Sequence, residues 1–564
     1  MVGAVFVGLW AGLTAVLLKI SVHHLQALLK PLGLQYSWIY FLSPAVGILL
    51  TYLFIQFVLK GELKKGTSHV LMAIAKKSSF LPRKEIFSHA VTSALTVGLG
   101  GSAGLESPII QTGSAIGTTF SSFFPIGYRD RTVLLACGAA AGIATAFNAP
   151  IAGVLFALEA LLVDVSISAF IPLLIAGATG ALCSKIILEE GILLSFKHVS
   201  AFNYKNVPFY ILLGIACGLI SYFYINAFLK TEILFLKIFR SGIAKLFGGV
   251  ILLGGLIVLF PALFGEGYSS ITALAYSKPS QLLNGSPLKE FFLHSEWSLG
   301  LAILITALIK VCAVSFTLNA GGNGGNFAPS LLVGACLGFS FAFLFNLTGI
   351  SHLPTSNFCL VAMAGVLTGI FHAPLTGIFL IAEITGGYEL IIPLMIVSAL
   401  STAVSRYLNP HSLDEAKLKQ SDKSISFGKD SHILSELSLS NFIEKDFATV
   451  QLHASMRTLV DAVAHSKRNI FPVLDENRNL TGVIILENIR EVMFNTSLYD
   501  TITIDQFIQK PQVVANLNED MSLIMEKFDK SGVWNIPVLD KGKYIGFISK
   551  SNVFSNYRDR LKNM

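Results

Sequence analysis

The chain has 564 residues, room for about three or four soluble domains, but 53% of them are hydrophobic, only 13% are charged, and the net charge is +7. That balance excludes an ordinary soluble protein and implies a membrane protein, with no nucleic-acid partner. The excess of positive charge falls wholly before about residue 410, whereas the remainder is nearly neutral and holds more than half of all charged residues, so the chain has two parts.

In chain order, the first part presents apolar runs at 2–18, 38–59, 132–163, 208–229, 245–264, 298–318 and 390–405. Such runs are long enough to cross about 30 Å of hydrocarbon. The first run lacks a preceding basic region and a small-residue cleavage site, so it reads as a retained membrane helix rather than a secretory signal. Basic loops at Lys60–Lys65 and Lys76–Lys84 fit cytoplasmic edges. Cys137, Cys183, Cys217, Cys312, Cys336 and Cys359 sit singly in apolar stretches, without the spacing of a disulfide or a metal site, and read as packing residues.

Two pairs of segments repeat. GLESPIIQTGSAIG (104–117) matches GNFAPSLLVGACLG (325–338), and FNAPIAGVLFALE (147–159) matches FHAPLTGIFLIAE (371–383), at offsets of 221 and 224 residues. Near-equal offsets point to one duplication, the mark of transporters built from repeated halves. The breaks at Gly-Gly, Asn-Gly and Ala-Pro mark a pathway, because irregular backbone at membrane depth is tolerated where it is buried or lines a cavity.

Pro108 and Pro329 suit the first turn of a helix, where the missing N–H costs nothing. Each motif therefore reads as a helix start inside the membrane. Two such starts aimed at one point offer free N–H donors and about half a positive charge each, and bind a passing halide weakly enough to release it. Glu106, within the first start, is an ionisable residue at membrane depth. Ionised, it would occupy the anion's place; protonated, it would lose that attraction and leave. An isolated glutamate there reads first as a helix cap, and the duplicated context favours the gate. Glu159 and Glu383 read as interfacial or paired carboxylates, Lys310 as a source of positive potential or a snorkelling lysine, and His69 and His372 as packing or hydrogen-bonding residues. The loops carry no paired-carboxylate, metal-ligand or nucleophile motif of an enzyme.

At GLESP, GNFAP and FNAP the sequence resembles the CLC family of chloride channels and proton-coupled chloride antiporters, over essentially residues 1–415. The resemblance implies an all-α polytopic membrane domain of two inverted repeats with broken helices, assembled as a homodimer with one pore per subunit. It implies Glu106 as the gate, and Gly325, Asn326, Phe327 and Ala328, with Gly104, Leu105 and Ser107, as the anion-binding segments. The family's first motif, GSGIP, is replaced by KKGTSH, with Lys65 at the central serine position, Gly66 still permitting a bend, and Thr67 or Ser68 left to supply a hydroxyl. Ala160 occupies the place of the internal proton glutamate, and Asp414 that of the central tyrosine. These losses favour passive, channel-like chloride conduction, with chloride/proton exchange by another internal route as the alternative.

After a linker at 411–440, two related segments follow, Met456–Asp475 and Met521–Asp540, offset by 65 residues. FPVLDENRNLTGVIILENI and IPVLDKGKYIGFISKSNVF each read as strand, turn, strand and helix start. They resemble the halves of an α/β CBS pair, at 441–500 and 501–564, on the cytoplasmic side of what is expected to be a plasma-membrane protein. No cofactor is required; the resemblance implies an adenine nucleotide as the ligand of such a pair, near Asn488, Ser549 and Asn552. Because Asn488 and Asn552 stand where nucleotide binders carry an acid, regulation through packing or weak nucleotide binding and a purely structural tail are both open.

Overall fold

The computed structural model describes the chain except Ser37, residues 76–78, 163–166, 188–200 and 422–438, Asp520 and residues 563–564. It divides into two compact units, Met1–Lys423 and Ser424–Met564.

In the first unit, nine helices among the described residues are long and apolar enough to cross a membrane, from Val2–Gly33 to Ile391–Gln420. Their outward faces carry exposed Phe57, Ile186, Phe247 and Ile251, an apolar exterior suited to lipid. Between them lie the short helices Glu106–Ser121, Pro150–Phe156, Thr355–Phe371 and Pro374–Ile384.

The duplicated Ala-Pro motifs explain the breaks. Helix Tyr128–Phe147 ends because Asn148 turns left-handed at φ 52°, and helix Thr355–Phe371 ends because His372 does so at φ 56°. An extended alanine follows, and then Pro150 or Pro374 opens the next helix at its first turn. The glutamates nine residues later complete the device across the repeat. Glu383 accepts from Ile151 N and Ala152 N at 3.0 and 2.8 Å. Glu159 accepts from Leu375 N at 3.0 Å and from Thr376 N and Oγ1, both at 2.8 Å. Each half thus caps the other's helix, which makes these carboxylates paired groups.

The repeated glycines set helix spacing. A Cβ on Gly113 would overlap the Gly138 carbonyl, and one on Gly338 the Phe358 carbonyl. Helix Glu106–Ser121 therefore lies directly on Tyr128–Phe147, as Phe327–Leu347 lies on Thr355–Phe371, by the close approach that small residues permit.

The segment expected as a linker begins with a helix, Leu413–Ser421, whose Leu413 and Leu418 are buried in the first unit. The segment lost its apolar pattern only because its other face is polar. Residues 422–438 lie outside the described residues.

The second unit contains two small sheets. Strands β2 (Val450–Gln451), β3 (Ile470–Leu474) and β4 (Leu480–Ile485) form one, in that order. The other runs β1 (Ile443–Glu444), β7 (Lys543–Ser549), β6 (Asn535–Asp540) and β5 (Ala515–Asn516). The repeat is visible in the register: Val450 lies beside Val473 in parallel, as Ala515 lies beside Val538, and both hairpins, β3–β4 and β6–β7, are antiparallel with a bulge. Leu439, from the end of the expected linker, and Phe442, from the start of the expected first module, pack in the core of the second sheet and so complete the second module.

Candidate anion pathway

The loop before Glu106 is tied down by a buried lysine. Lys310, 0% exposed, donates to Ser102 Oγ at 2.8 Å, Gly265 O at 2.9 Å and Leu263 O at 3.2 Å. It does not snorkel; its charge is spent on three oxygens of two loops. Those loops carry Gly104 and Glu266 to the centre of the unit.

There, Gly104 and Gly325, the equivalent residues of the two repeats, exchange hydrogen bonds at 2.9 and 2.8 Å in an antiparallel bridge. Side chains would not fit: a Cβ on Gly325 would stand 2.6 Å from Ser107 Cβ. The bridge brings the starts of helices Glu106–Ser121 and Phe327–Leu347 together, which is the convergence that anion binding by backbone amides demands. The Glu106 carboxylate, 2% exposed, occupies the junction: Oε2 accepts from Ala328 N at 3.3 Å, and Oε1 accepts from the Tyr268 hydroxyl.

Two cavities flank it. On the side of the basic loop is an inner cavity of about 140 Å³, lined by Lys65, Thr67, Ser107, Gly325, Phe327 and Asp414 among others. On the opposite side is an outer cavity of about 400 Å³, lined by Lys19, His23, Leu105, Glu266 and Tyr268 among others. Leu105 lines one and Ser107 the other, so Glu106 sits where the two would join. Phe327 and Phe371 line the inner cavity, and the Phe327 ring packs against those of Phe147 and Phe371, which are repeat equivalents, at 5.5 and 5.6 Å.

The expected residues fall into place unevenly. Gly104, Leu105, Ser107, Gly325, Asn326, Phe327 and Ala328 all gather at the junction. The Asn326 side chain, however, is held by Tyr224, whose hydroxyl donates to Oδ1 at 3.0 Å. Lys65 lines the inner cavity while donating to Gly321 O and Gly322 O at 2.7 and 2.8 Å, so it also anchors the second repeat's loop. Thr67 lines that cavity with its hydroxyl 3.0 Å from Ser107 Oγ, Gly66 bends at φ 90°, and Ser68 is not among the lining residues. Asp414 lines it together with Lys417. Ala160 lies half-buried in the one-turn π-helix Ala157–Leu161 and brings no proton-carrying group.

Sequence reasoning missed Tyr268 and Glu266, whose Oε1 accepts from Leu105 N at 3.3 Å. The signal was present in FGEGY: an acid between two glycines after an apolar run, with Gly265 and Gly267 both at positive φ. In the second unit, Asn488 is exposed, Ser549 Oγ accepts from Asn552 N at 3.2 Å, and the Asn552 amide donates to Glu444 at 3.0 Å.

The family profile described as voltage gated chloride channel matches residues 46–406. The chain is 29% identical over 380 residues to a ClcB-like chloride channel protein of Ralstonia nicotianae, covering 66% of this chain and 83% of that one. It is 31% identical over 326 residues to the H(+)/Cl(-) exchange transporter ClcA of Klebsiella pneumoniae, covering 56% of this chain and 64% of that one's length. A slow cyanobacterial Cl-/H+ antiporter has a similar fold, with a TM-score of 0.63 at 23% identity over 75% of this chain and 98% of that one. A eukaryotic CLC transporter aligns over 98% of this chain and 97% of its own, with a TM-score of 0.58 at 19% identity. The paired helix starts, the buried carboxylate between two cavities and the profile match over most of the first unit agree: the chain belongs to the voltage gated chloride channel family, the CLC family of anion transport proteins.

Proposed function

We propose that the chain carries chloride across a membrane through the junction of helices Glu106–Ser121 and Phe327–Leu347, with the Glu106 side chain as the gate. The observation that supports this reading most is the carboxylate itself, held by Ala328 N and the Tyr268 hydroxyl between the two cavities. Protonation removes the charge that those donors hold, and the freed amides are then available to an anion. The tail is a CBS pair on the cytoplasmic side of a plasma-membrane homodimer with one pathway per subunit, acting through packing or a weakly held adenine nucleotide.

Uncoupled conduction is the reading that Ala160 favours, since it leaves the family's inner proton position without a carboxyl. Chloride/proton exchange is a second reading, favoured by a buried ionisable stripe on helix Glu85–Gly98 and by the printed function of the ClcA relative. Chloride efflux from proteoliposomes with a pH electrode in the bath separates them. Steady efflux with no proton movement establishes conduction, protons driven uphill by the chloride gradient establish exchange, and absence of chloride flux in both directions overturns the proposal.

A further inference from the structure

Helix Glu85–Gly98 carries Glu85, His89, Thr92 and Thr96 at spacings that place all four on one face, and all four are buried. Side chains of this kind inside a membrane domain are costly unless they are paired or used. The stripe begins at the basic edge that carries Lys64 and Lys84, where His69 Nε2 lies 3.1 Å from Glu85 Oε1. His89 Nε2 stands 3.7 Å from Glu85 Oε2, and neither atom has a hydrogen-bond partner among the described residues. Further along, Asn323 Nδ2 is 3.4 Å from His89 Nδ1 and donates to Thr92 Oγ1 at 2.8 Å, while Asn323 N donates to Thr96 Oγ1 at 3.0 Å. The next residues, Gly324 and Gly325, line the inner cavity below Glu106.

On the exchange reading, we propose that Glu85, bracketed by His69 and His89, is the inner proton station of this transporter, doing what Ala160 cannot. A doubly protonated His69 gives the proton on Nε2 to Glu85 Oε1, 3.1 Å away, and is left neutral. Glu85 passes it from Oε2 to His89 Nε2, 3.7 Å away, so the carboxylate is ionised again and the His89 ring carries the proton. Each transfer leaves one group a proton poorer and its neighbour a proton richer, and the carboxyl returns to its ionised form for every proton passed on. The groups around the station are few. Lys65, from the segment before helix Thr67–Ala75, acts on His89 through its charge. Helix Trp38–Phe57 offers the Thr51 hydroxyl, 2.8 Å from Thr96 Oγ1. Helix Val2–Gln35 brings Lys19, bonded to the Ala146 carbonyl, His23 at the outer cavity and His24, bonded to its own helix at Ile20 O; helix Glu106–Ser121 has Glu106 as its sole charged residue. A route behind the cavity wall also keeps the proton away from Lys417, whose positive charge faces the cavity and repels it there.

The test reconstitutes the full chain, imposes a chloride gradient and records protons moved per chloride, a ratio that a merely structural defect, scaling both flows together, would leave alone. In Glu85→Gln the ratio falls at least about tenfold, the scale of losing one positioned acid–base group, and Glu85→Asp restores it. A native ratio in Glu85→Gln overturns the station and leaves exchange standing. If the unsubstituted chain moves no protons against chloride, the exchange reading fails first and the station with it. Should Glu85→Gln not fold, His89→Gln decides by the same ratio: a fall supports the station, an unchanged value overturns it.

Discussion

Replacing Tyr268 by Phe removes one hydroxyl and nothing else from the gate. Phe keeps the ring that packs edge-on against Phe147 at 6.4 Å, so the cavity wall survives. The lost bond is from a neutral donor to a carboxylate in a site 2% exposed, and hydrogen bonds to charged groups contribute about 1.5–3 kcal/mol. At about 1.4 kcal/mol per factor of ten, the balance between held and released Glu106 shifts by about 10- to 100-fold towards release. Chloride efflux from proteoliposomes at neutral pH should therefore rise by at least about tenfold, up to the rate of Glu106→Gln. At acid pH, where the carboxyl is protonated in both proteins, the two rates should converge. In the double variant Tyr268→Phe/Glu106→Gln the tyrosine change should add nothing, because its partner is gone. Equal rates for the native chain and Tyr268→Phe at neutral pH, or an additive effect in the double variant, would refute the assignment.

The reciprocal caps predict a stability effect without a gating effect: Glu159→Gln weakens charge-assisted bonds to two backbone amides and the Thr376 hydroxyl, costing about 2–4 kcal/mol, and should lower Tm in detergent while leaving the pH profile of efflux unchanged. Gly113→Val should abolish recovery of folded protein by size-exclusion chromatography, since the side chain has to displace the Gly138 carbonyl of the neighbouring helix. In the tail, the Arg457 guanidinium holds Asp500, and the His453 side chain holds Asp505, below the ordinary aspartate range. A lowered carboxyl contributes stability that is present above the unfolded value, about 3.9, and lost as pH falls through the folded one. Proteolysis of the tail should accelerate below about pH 4, and less steeply in Asp500→Asn.

Much of the first unit could be read from residues because the duplication is chemically explicit. Pro108 and Pro329 announce helix starts, and the Ala-Pro pairs announce breaks, so two helix starts aimed at one point were legible, whereas the bridge of Gly104 to Gly325 was not. What could not be read is how the halves meet. Glu159 and Glu383 are unremarkable in sequence, and only their crossing over to the opposite repeat shows them to be caps. Tyr268 lies 162 positions from Glu106, and no periodicity links the two. His69 read as a packing or hydrogen-bonding residue because nothing in the sequence links it to its partner, Glu85, 16 positions on. The start of the linker was not legible as a helix packed on the first unit because the charged Asp414 and Lys417, which line the inner cavity, mimic a surface segment. In the tail the strand repeats were legible, but the placing of Leu439 and Phe442 in the second sheet's core depends on pairing between β1 and β7, which local pattern does not encode.

The most direct test of a Glu106 gate is chloride efflux from proteoliposomes measured from acid to alkaline pH for the native chain and for Glu106→Gln. The account predicts efflux that rises as pH falls in the native chain and a high, pH-independent rate in the variant. A variant that keeps the native pH dependence would contradict it, since some group other than Glu106 would then be closing the pathway.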